Sequence, residues 1–142
     1  MKLIRAIAIA TLSFLGITSL IGAVPLILEP SGRLLSMPLS LLEHSPFQSF
    51  LIPGIILLTA NCMLSFWGLA LMLRKTRRYE RWIALQGCVL AGWITVQIAM
   101  IRTVIWAHYV YLGVAAVLIL CAWLLRKHEA EPANGIANIA RG

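Results

Sequence analysis

Charge is the property that this sequence lacks most. Only 12% of its 142 residues are Asp, Glu, Lys or Arg, whereas an ordinary soluble domain carries about 25%. Four stretches contain none of these residues: 6–28, 45–73, 82–101 and 103–125. A helix of roughly 20 residues crosses a hydrocarbon core about 30 Å thick, so each stretch is long enough to span a membrane. Because none of them has a polar face, a soluble helical bundle is excluded, and the sequence predicts an all-α fold with four transmembrane helices.

The sequence also lacks the alternation of polar and apolar residues that a membrane-spanning β-strand requires. Residues 113–125, for example, read GVAAVLILCAWLL and are rich in leucine and alanine, which favour helix. The chain is long enough for one domain. We expect residues 1–127 to form a four-helix transmembrane domain and residues 128–142 to form a disordered cytoplasmic tail. The first apolar run is longer than the core of a signal peptide, which favours an uncleaved helix.

Acidic residues are few, five against twelve basic ones, and the basic residues are unevenly placed. Ten of the twelve precede the first predicted helix, lie between the second and third, or follow the fourth; the densest run is RKTRRYER at 74–81. Short basic loops stay in the cytoplasm, so the sequence predicts an N-in, C-in protein of a bacterial cytoplasmic (inner) membrane. The lipid bilayer is the expected partner. No nucleic acid is expected, because no aromatic interleaving or binding motif accompanies the basic residues.

Motifs for catalysis and metal binding are missing. The sequence has no nucleophile elbow, phosphate loop, zinc-protease pair or EF-hand loop. Each of its three cysteines, Cys62, Cys88 and Cys121, falls inside an apolar run, and no CxxC pair suits a quinone-linked redox enzyme. The second, third and fourth uncharged stretches also lack a charged acid or base within the membrane, which argues against an ion pump. We therefore expect a protein that is not an enzyme, with no catalytic residue, metal or cofactor.

The connection between the first two helices is too apolar for a freely solvated loop. After a turn at PSG, residues 30–32, it carries six leucine or methionine residues between positions 34 and 42. A short interfacial helix that begins near Pro38, is capped by Ser36 and lies along the membrane surface would bury them. The alternative is a lid folded over the outer ends of the bundle.

The stretch SPFQSFLIPG, residues 45–54, precedes the second apolar run. Ser45 followed by Pro46 is typical of a helix start, with a hydroxyl cap and then proline at the first helical position. Pro53 and Gly54 then fall near the outer membrane interface. One interpretation is a kinked first turn that fits under the external connection; the other is an inward bend that lines an outer cavity. We favour the kinked turn.

Polar residues are concentrated at the predicted outer end of the bundle. They comprise two acids, two arginines, two histidines and a glutamine, and they define a candidate ligand-binding pocket: Glu29, Arg33, Glu43, His44, Gln97, Arg102 and His108. Such a pocket could bind a head group or relay protons. The alternative is that these residues end helices and face water. Deeper in the membrane, Asn61, Ser65, Gln86, Thr95 and Gln97 are expected to face other helices and to form interhelical hydrogen bonds.

The segment from Glu29 to Gly54 resembles small uncharacterised bacterial four-helix integral membrane proteins. The resemblance depends on Ser45-Pro46-Phe47, Pro53-Gly54 and the pair Trp93 and Gln97. The four-helix arrangement also resembles, more weakly, the DoxX-like proteins; neither resemblance implies an established activity. The function we expect is a structural or accessory bundle that self-associates or serves another membrane protein. The alternative function is a binder or carrier of a small amphiphile, lipid or quinone.

Overall fold

The computed structural model describes residues 1–139, with side chains described for residues 1–130. It contains four long helices: α1 (Lys2–Leu28), α2 (Leu51–Leu73), α3 (Tyr79–Ile101) and α4 (Trp106–Ile139). The first three, and Trp106–Ala130 of α4, are long and apolar enough to cross a membrane. Residues 1–139 contain no strand. The prediction of an all-α protein with four membrane-spanning helices is confirmed.

The helices form two antiparallel hairpins that pack side by side. Helix α1 packs mainly along α2, and α3 packs mainly along α4; the hairpins meet where α1 contacts α4 and α2 contacts α3. Fully buried residues from all four helices fill the centre, among them Leu12, Leu15, Met72, Ile83 and Leu118. Most other large apolar side chains face outward, as a bilayer requires. We call the end that carries residues 29–50 the loop end, and the opposite end, with residues 74–78, the basic end.

Close packing between α3 and α4 depends on Gly87. A Cβ atom added there would lie 2.7 Å from Ile119 Cγ1 and 3.0 Å from the Ala115 carbonyl oxygen. Gly92, five residues further along α3, instead has nothing within 4 Å of such an atom. Small residues allow membrane helices to approach closely only where they face a partner. Gly87 therefore sets the α3–α4 distance, and Gly92 does not.

The Gly87→Ala variant should be less stable than the wild type. Its new methyl group would meet backbone, which cannot move aside cheaply, and overpacking typically costs about 1–3 kcal/mol. The matched control is Gly92→Ala, on the same helix, which should unfold at or above the wild-type temperature because alanine favours helix. Thermal unfolding in one detergent compares the three proteins. Equal stability of the two variants would contradict the role given to Gly87.

The connection at the loop end is built from two short 3₁₀ turns, Arg33–Leu35 and Leu39–Leu42, rather than one interfacial helix. Ser36 forms no side-chain cap and has a left-handed backbone, with φ 54°. Leu42 and Phe50 are buried in a small cluster with Leu26 and Met100. The connection thus folds over the ends of the helices, as the lid alternative predicts, while Leu34 stays 61% exposed.

The predicted start of α2 at Ser45 is wrong. The Ser45 hydroxyl donates a hydrogen bond of 2.8 Å to the Leu42 carbonyl, which ends the preceding turn, and the helix begins at Leu51. Pro53 is therefore the third helical residue, where its missing N–H breaks no helical bond. The helix therefore needs no kink to accommodate Pro53. Gly54 next to it allows close contact with α1, since an added Cβ would lie 3.0 Å from Leu26 Cβ.

A π-helical segment interrupts α2 from Leu57 to Met63. Its i→i+5 bonds widen the helix, and such segments occur frequently at functional sites. The segment turns Asn61 and Cys62 into the protein interior. At the other end of the chain, the α4 backbone is helical as far as Ile139. The disordered tail over 128–142 stays a prediction, and its last three residues lie outside the described residues.

Candidate functional site

A cavity of about 130 Å³ lies among the four helices, in the half of the bundle nearer the loop end. A second cavity of about 40 Å³ lies next to it, beneath the connection and lined in part by Met37, Leu42 and Phe50. Leu57, Trp93 and Gln97 line both cavities. We call the two together the loop-end chamber. Residues 29–50 therefore cover a space within the bundle, and Gln97 and Trp93 stand where its two parts meet.

The polar lining of the larger cavity is uncharged. It consists of two hydroxyl groups on α1, an indole and an amide on α3 and a phenol on α4: Thr18, Ser19, Trp93, Gln97 and Tyr111. The remaining lining is aliphatic or glycine. The Thr18 hydroxyl is already used, since it donates to the Phe14 carbonyl at 2.8 Å. A neutral chamber that offers a few hydrogen-bonding groups suits a neutral ligand with few polar atoms.

Two of these groups have unused hydrogen-bonding capacity. The Trp93 side chain is 8% exposed, and its indole N–H is buried without an acceptor among the described residues. Gln97 lies one helical turn further along the same face of α3. An unpaired polar group in a water-free interior costs free energy, so the Trp93 N–H has reason to bond to something in the chamber. The half-buried Gln97 amide lines the same space.

A pair of buried amides lies between the chamber and the basic end. Gln86 Nε2 donates to Asn61 Oδ1 at 3.4 Å, and neither residue has any exposed surface. Asn61 Nδ2, Gln86 Oε1 and the hydroxyl of buried Ser65 remain unpaired within the described residues. This confirms that Asn61, Ser65 and Gln86 face other helices. Thr95 is different: it is exposed, and its hydroxyl donates to the Ala91 carbonyl of its own helix at 2.8 Å.

Two members of the predicted pocket, Glu29 and Arg33, lie together on the connection. Arg33 Nη2 donates to Glu29 Oε2 at 3.3 Å, and the Ser31 hydroxyl donates to Glu29 Oε1 at 2.7 Å. These hydrogen bonds, that of Ser31 first, hold the pKa of Glu29 below its ordinary value. The Arg33 side chain is 83% exposed. The pair therefore belongs to the surface of the connection and does not line the chamber.

The other predicted pocket residues are spread over the loop end. Glu43 and His44 are exposed in the turn after Leu39–Leu42. Arg102 is exposed at the end of α3, where its φ of 54° reverses the chain. His108 is buried, and its Nδ1 accepts the Ile105 N–H at 3.2 Å, which satisfies a donor at the start of α4. Of the seven predicted residues, only Gln97 lines the chamber.

Sequence reasoning missed Trp93 as a member of the site. Its position in the middle of an apolar run, one turn from Gln97, was the available signal, because belt tryptophans lie near helix ends. Within the described residues, no group of three His, Cys, Asp or Glu side chains is placed to hold a metal ion. Cys62, Cys88 and Cys121 are free thiols. The arrangement at the chamber can bind and orient a ligand through hydrogen bonds.

The comparisons identify no relative: no protein-family model matches the chain, and no curated protein or solved structure is significantly similar to it. The resemblance carried by Ser45-Pro46-Phe47 and Pro53-Gly54 is therefore supported only as a shared four-helix membrane-spanning architecture. Membership of that group, or of the DoxX-like proteins, has no support from these comparisons. The chain is an integral membrane protein with four candidate spans.

Proposed function

We propose that the protein is not an enzyme and that it binds a small neutral amphiphile of the quinone type in the loop-end chamber. The observation that carries this proposal is the unpaired, buried N–H of Trp93 in the wall of a cavity that also holds Gln97. The binding of such a ligand would give both α3 groups a partner. The chamber lies within the membrane-spanning part of the bundle, so ligand would arrive from the lipid phase.

The size of the chamber favours a ring over a phospholipid head group. An engineered cavity of about 150 Å³ in another protein holds one benzene, and the larger cavity here measures about 130 Å³. A phosphate would also need a cation, and no charged residue among those described lines either cavity. A ring with carbonyl oxygens fits both conditions, because the oxygens would accept from the Trp93 indole and the Gln97 amide.

The same lining supports binding rather than catalysis. General acid–base chemistry needs a group that exchanges protons near the working pH. Within the described part of the chain, no Asp, Glu, His or Lys lines the chamber. The groups present can hold a ligand oxygen without transferring a proton at neutral pH. The accessory role that the sequence favours is the competing proposal. It would need a solidly packed loop end or a partner surface, and the chamber is a specific reason to place ligand binding first.

The test is retention of a benzoquinone with a ten-carbon tail, measured by native mass spectrometry of detergent-solubilised protein. We expect one molecule per wild-type chain. Trp93→Phe removes the N–H together with part of the indole ring, and Gln97→Leu replaces the amide with an apolar side chain of similar size. Each should weaken retention about tenfold, because a lost hydrogen bond to an otherwise unpaired group is worth about 1–1.5 kcal/mol. The matched control is Thr95→Val, on the same helix but outside the chamber, which should retain the quinone as the wild type does.

Two results would overturn the proposal. Equal retention by all four proteins would show that the quinone associates with the outer surface. Failure of the wild type to retain it, with a partner protein copurified from native membranes instead, would favour the accessory role. Thermal unfolding of each variant shows whether a change in retention reflects the lost group or a loosened bundle.

A further inference from the structure

Another cavity, with a different chemistry, lies at the basic end. It has a volume of about 670 Å³ and is bounded by the start of α1, the turn before α3 and the end of the α4 membrane span. Six cationic side chains line it: Arg5, Lys75, Arg77, Arg78, Arg81 and Arg126. Among the residues whose side chains are described, two carboxylates, Glu80 and Glu129, face them there. We call this space the basic cup, and its size is within the range of ligand pockets.

The cations of the basic cup have no ionic partner in the described part of the chain. The ion pair found among residues 1–130 joins Arg33 to Glu29, at the opposite end of the bundle. Left-handed backbone at Lys75 (φ 52°) and Arg78 (φ 66°) reverses the chain tightly between α2 and α3. The reversal places the positive end of the α3 dipole among these arginines, an arrangement that an anion would stabilise.

Arg5 is fixed in position at the wall of the cup. Its Nη2 donates to the Met72 carbonyl at 3.1 Å, and its guanidinium lies 5.7 Å from the centre of the Tyr79 ring. Tyr79 itself is only 6% exposed. A guanidinium held by two contacts keeps further N–H donors in a planar fork, which matches the oxygens of a phosphate. Arg5 therefore loses little side-chain entropy when it binds an anion.

A buried carboxylate, Glu80, limits the kind of anion that the basic cup can bind. It lines the cup, is 5% exposed, and its Oε2 atom is buried without a hydrogen-bond donor among the described residues. A carboxylate would repel a bare phosphate, but it would accept a hydrogen bond from a hydroxyl group attached to one. We propose that the basic cup binds a polyol phosphate, with Arg5 and the other cations on the phosphate and Glu80 on a hydroxyl.

This chemistry has two sources, a lipid head group such as phosphatidylglycerol and a soluble ester such as glycerol phosphate. In the lipid arm, native mass spectrometry measures retention of phosphatidylglycerol, phosphatidic acid and phosphatidylcholine. In the soluble arm, calorimetry measures binding of glycerol phosphate. We expect at least tenfold stronger retention of phosphatidylglycerol than of phosphatidylcholine. If glycerol phosphate binds, the variants below weaken that binding in the same way, and the three lipids are retained equally, then the basic cup binds the soluble ester.

Two double variants of equal charge separate a built site from simple attraction. Arg77→Gln with Arg126→Gln removes two cations that line the cup, and should lower affinity at least tenfold. Arg74→Gln with Lys127→Gln removes two that do not line it, and should change affinity less than twofold. Equal losses in both doubles would overturn the proposal, because diffuse surface charge would then suffice. No binding of either probe to the wild type would overturn it too.

Glu80→Leu tests the hydroxyl contact without touching the cations. The wild type should prefer phosphatidylglycerol to phosphatidic acid, which lacks the head-group hydroxyls, and the variant should lose that preference. An unchanged preference would remove Glu80 from the proposal. The outcome is independent of quinone binding, because the loop-end chamber and the basic cup share no lining residue.

Discussion

Replacement of Gly32 by alanine is expected to release the connection from the loop end of the bundle. Gly32 has a φ of 81°, and a Cβ atom there would overlap the Met37 carbonyl oxygen and lie 2.8 Å from the Phe50 ring. A left-handed conformation alone costs a residue with a side chain about 1–2 kcal/mol. The overlap adds to that cost, because it is with backbone and no side-chain rotation can relieve it.

Two backbone hydrogen bonds hold the connection closed beside this glycine. The Met37 N–H donates to the Gly32 carbonyl at 2.9 Å, and the Phe50 N–H donates to the Pro30 carbonyl, also at 2.9 Å. The apolar anchorage of the connection is the small cluster around Leu42 and Phe50. Connections with so few buried contacts open locally at low free energy. A strain of a few kcal/mol is therefore enough to shift residues 33–50 to an open state.

Hydrogen–deuterium exchange measures this directly. In the Gly32→Ala protein, the amides of residues 37–50 should exchange at least tenfold faster than in the wild type, while amides within α1 to α4 keep their rates. The matched control is Ser36→Ala, which alters a second left-handed position, φ 54°, but one that is exposed. Its exchange should change less than about twofold. Wild-type protection in Gly32→Ala would show that the connection is not held in this way.

The Gly32→Ala variant also tests whether the connection closes the loop-end chamber. Residues 37–50 supply Met37, Leu41, Leu42 and Phe50 to the smaller cavity. If a quinone binds in the chamber as proposed, an open connection should admit water there and weaken retention of the quinone. Loss of exchange protection without loss of retention would restrict the ligand to the larger cavity, between the helices.

The four spans could be predicted from the sequence because their signal is the length of uncharged chain, which local detail does not alter. The start of α2 could not. Ser45-Pro46 suits a helix start and a turn equally well, and the choice depends on a hydrogen bond to Leu42 that no local pattern encodes. The π-helical segment at Leu57–Met63 likewise could not be predicted, because its residues form an ordinary apolar run in the sequence; in the fold the segment packs against α1 and α3.

The candidate site was predictable only in part for a similar reason. Gln97 is conspicuous as a polar residue within an apolar run, and it does line the chamber. Arg102 was conspicuous as a charge between two apolar runs, but a left-handed residue ends α3 there and leaves the side chain exposed. Trp93 counts as apolar in any sequence pattern. Its importance comes from an unpaired N–H, which is a property of its surroundings in the fold.

The orientation of the bundle is expected to depend on the turn at the basic end. Arg74, Lys75, Arg77 and Arg78 are all exposed, in a short connection between α2 and α3 where positive charge acts most strongly on topology. We predict that this end lies in the cytoplasm. Glutamine at these four positions should weaken the orientation and invert a minority of the molecules, because Lys2, Arg5, Arg81, Arg126 and Lys127 still outnumber Arg33 and Arg102 at the loop end.

Single cysteines report the side on which each end lies. In a background with the three native cysteines replaced by alanine, Ser40→Cys should react with a membrane-impermeant maleimide in intact cells. Thr76→Cys should react only after the membrane is permeabilised. Both positions are exposed, so accessibility from one side decides the result. With the four cations replaced, partial labelling of Thr76→Cys in intact cells is expected, since the charge difference that orients the helices is then reduced. Labelling of Thr76→Cys in intact cells with the cations present would reverse the predicted topology and place the basic cup on the outer face.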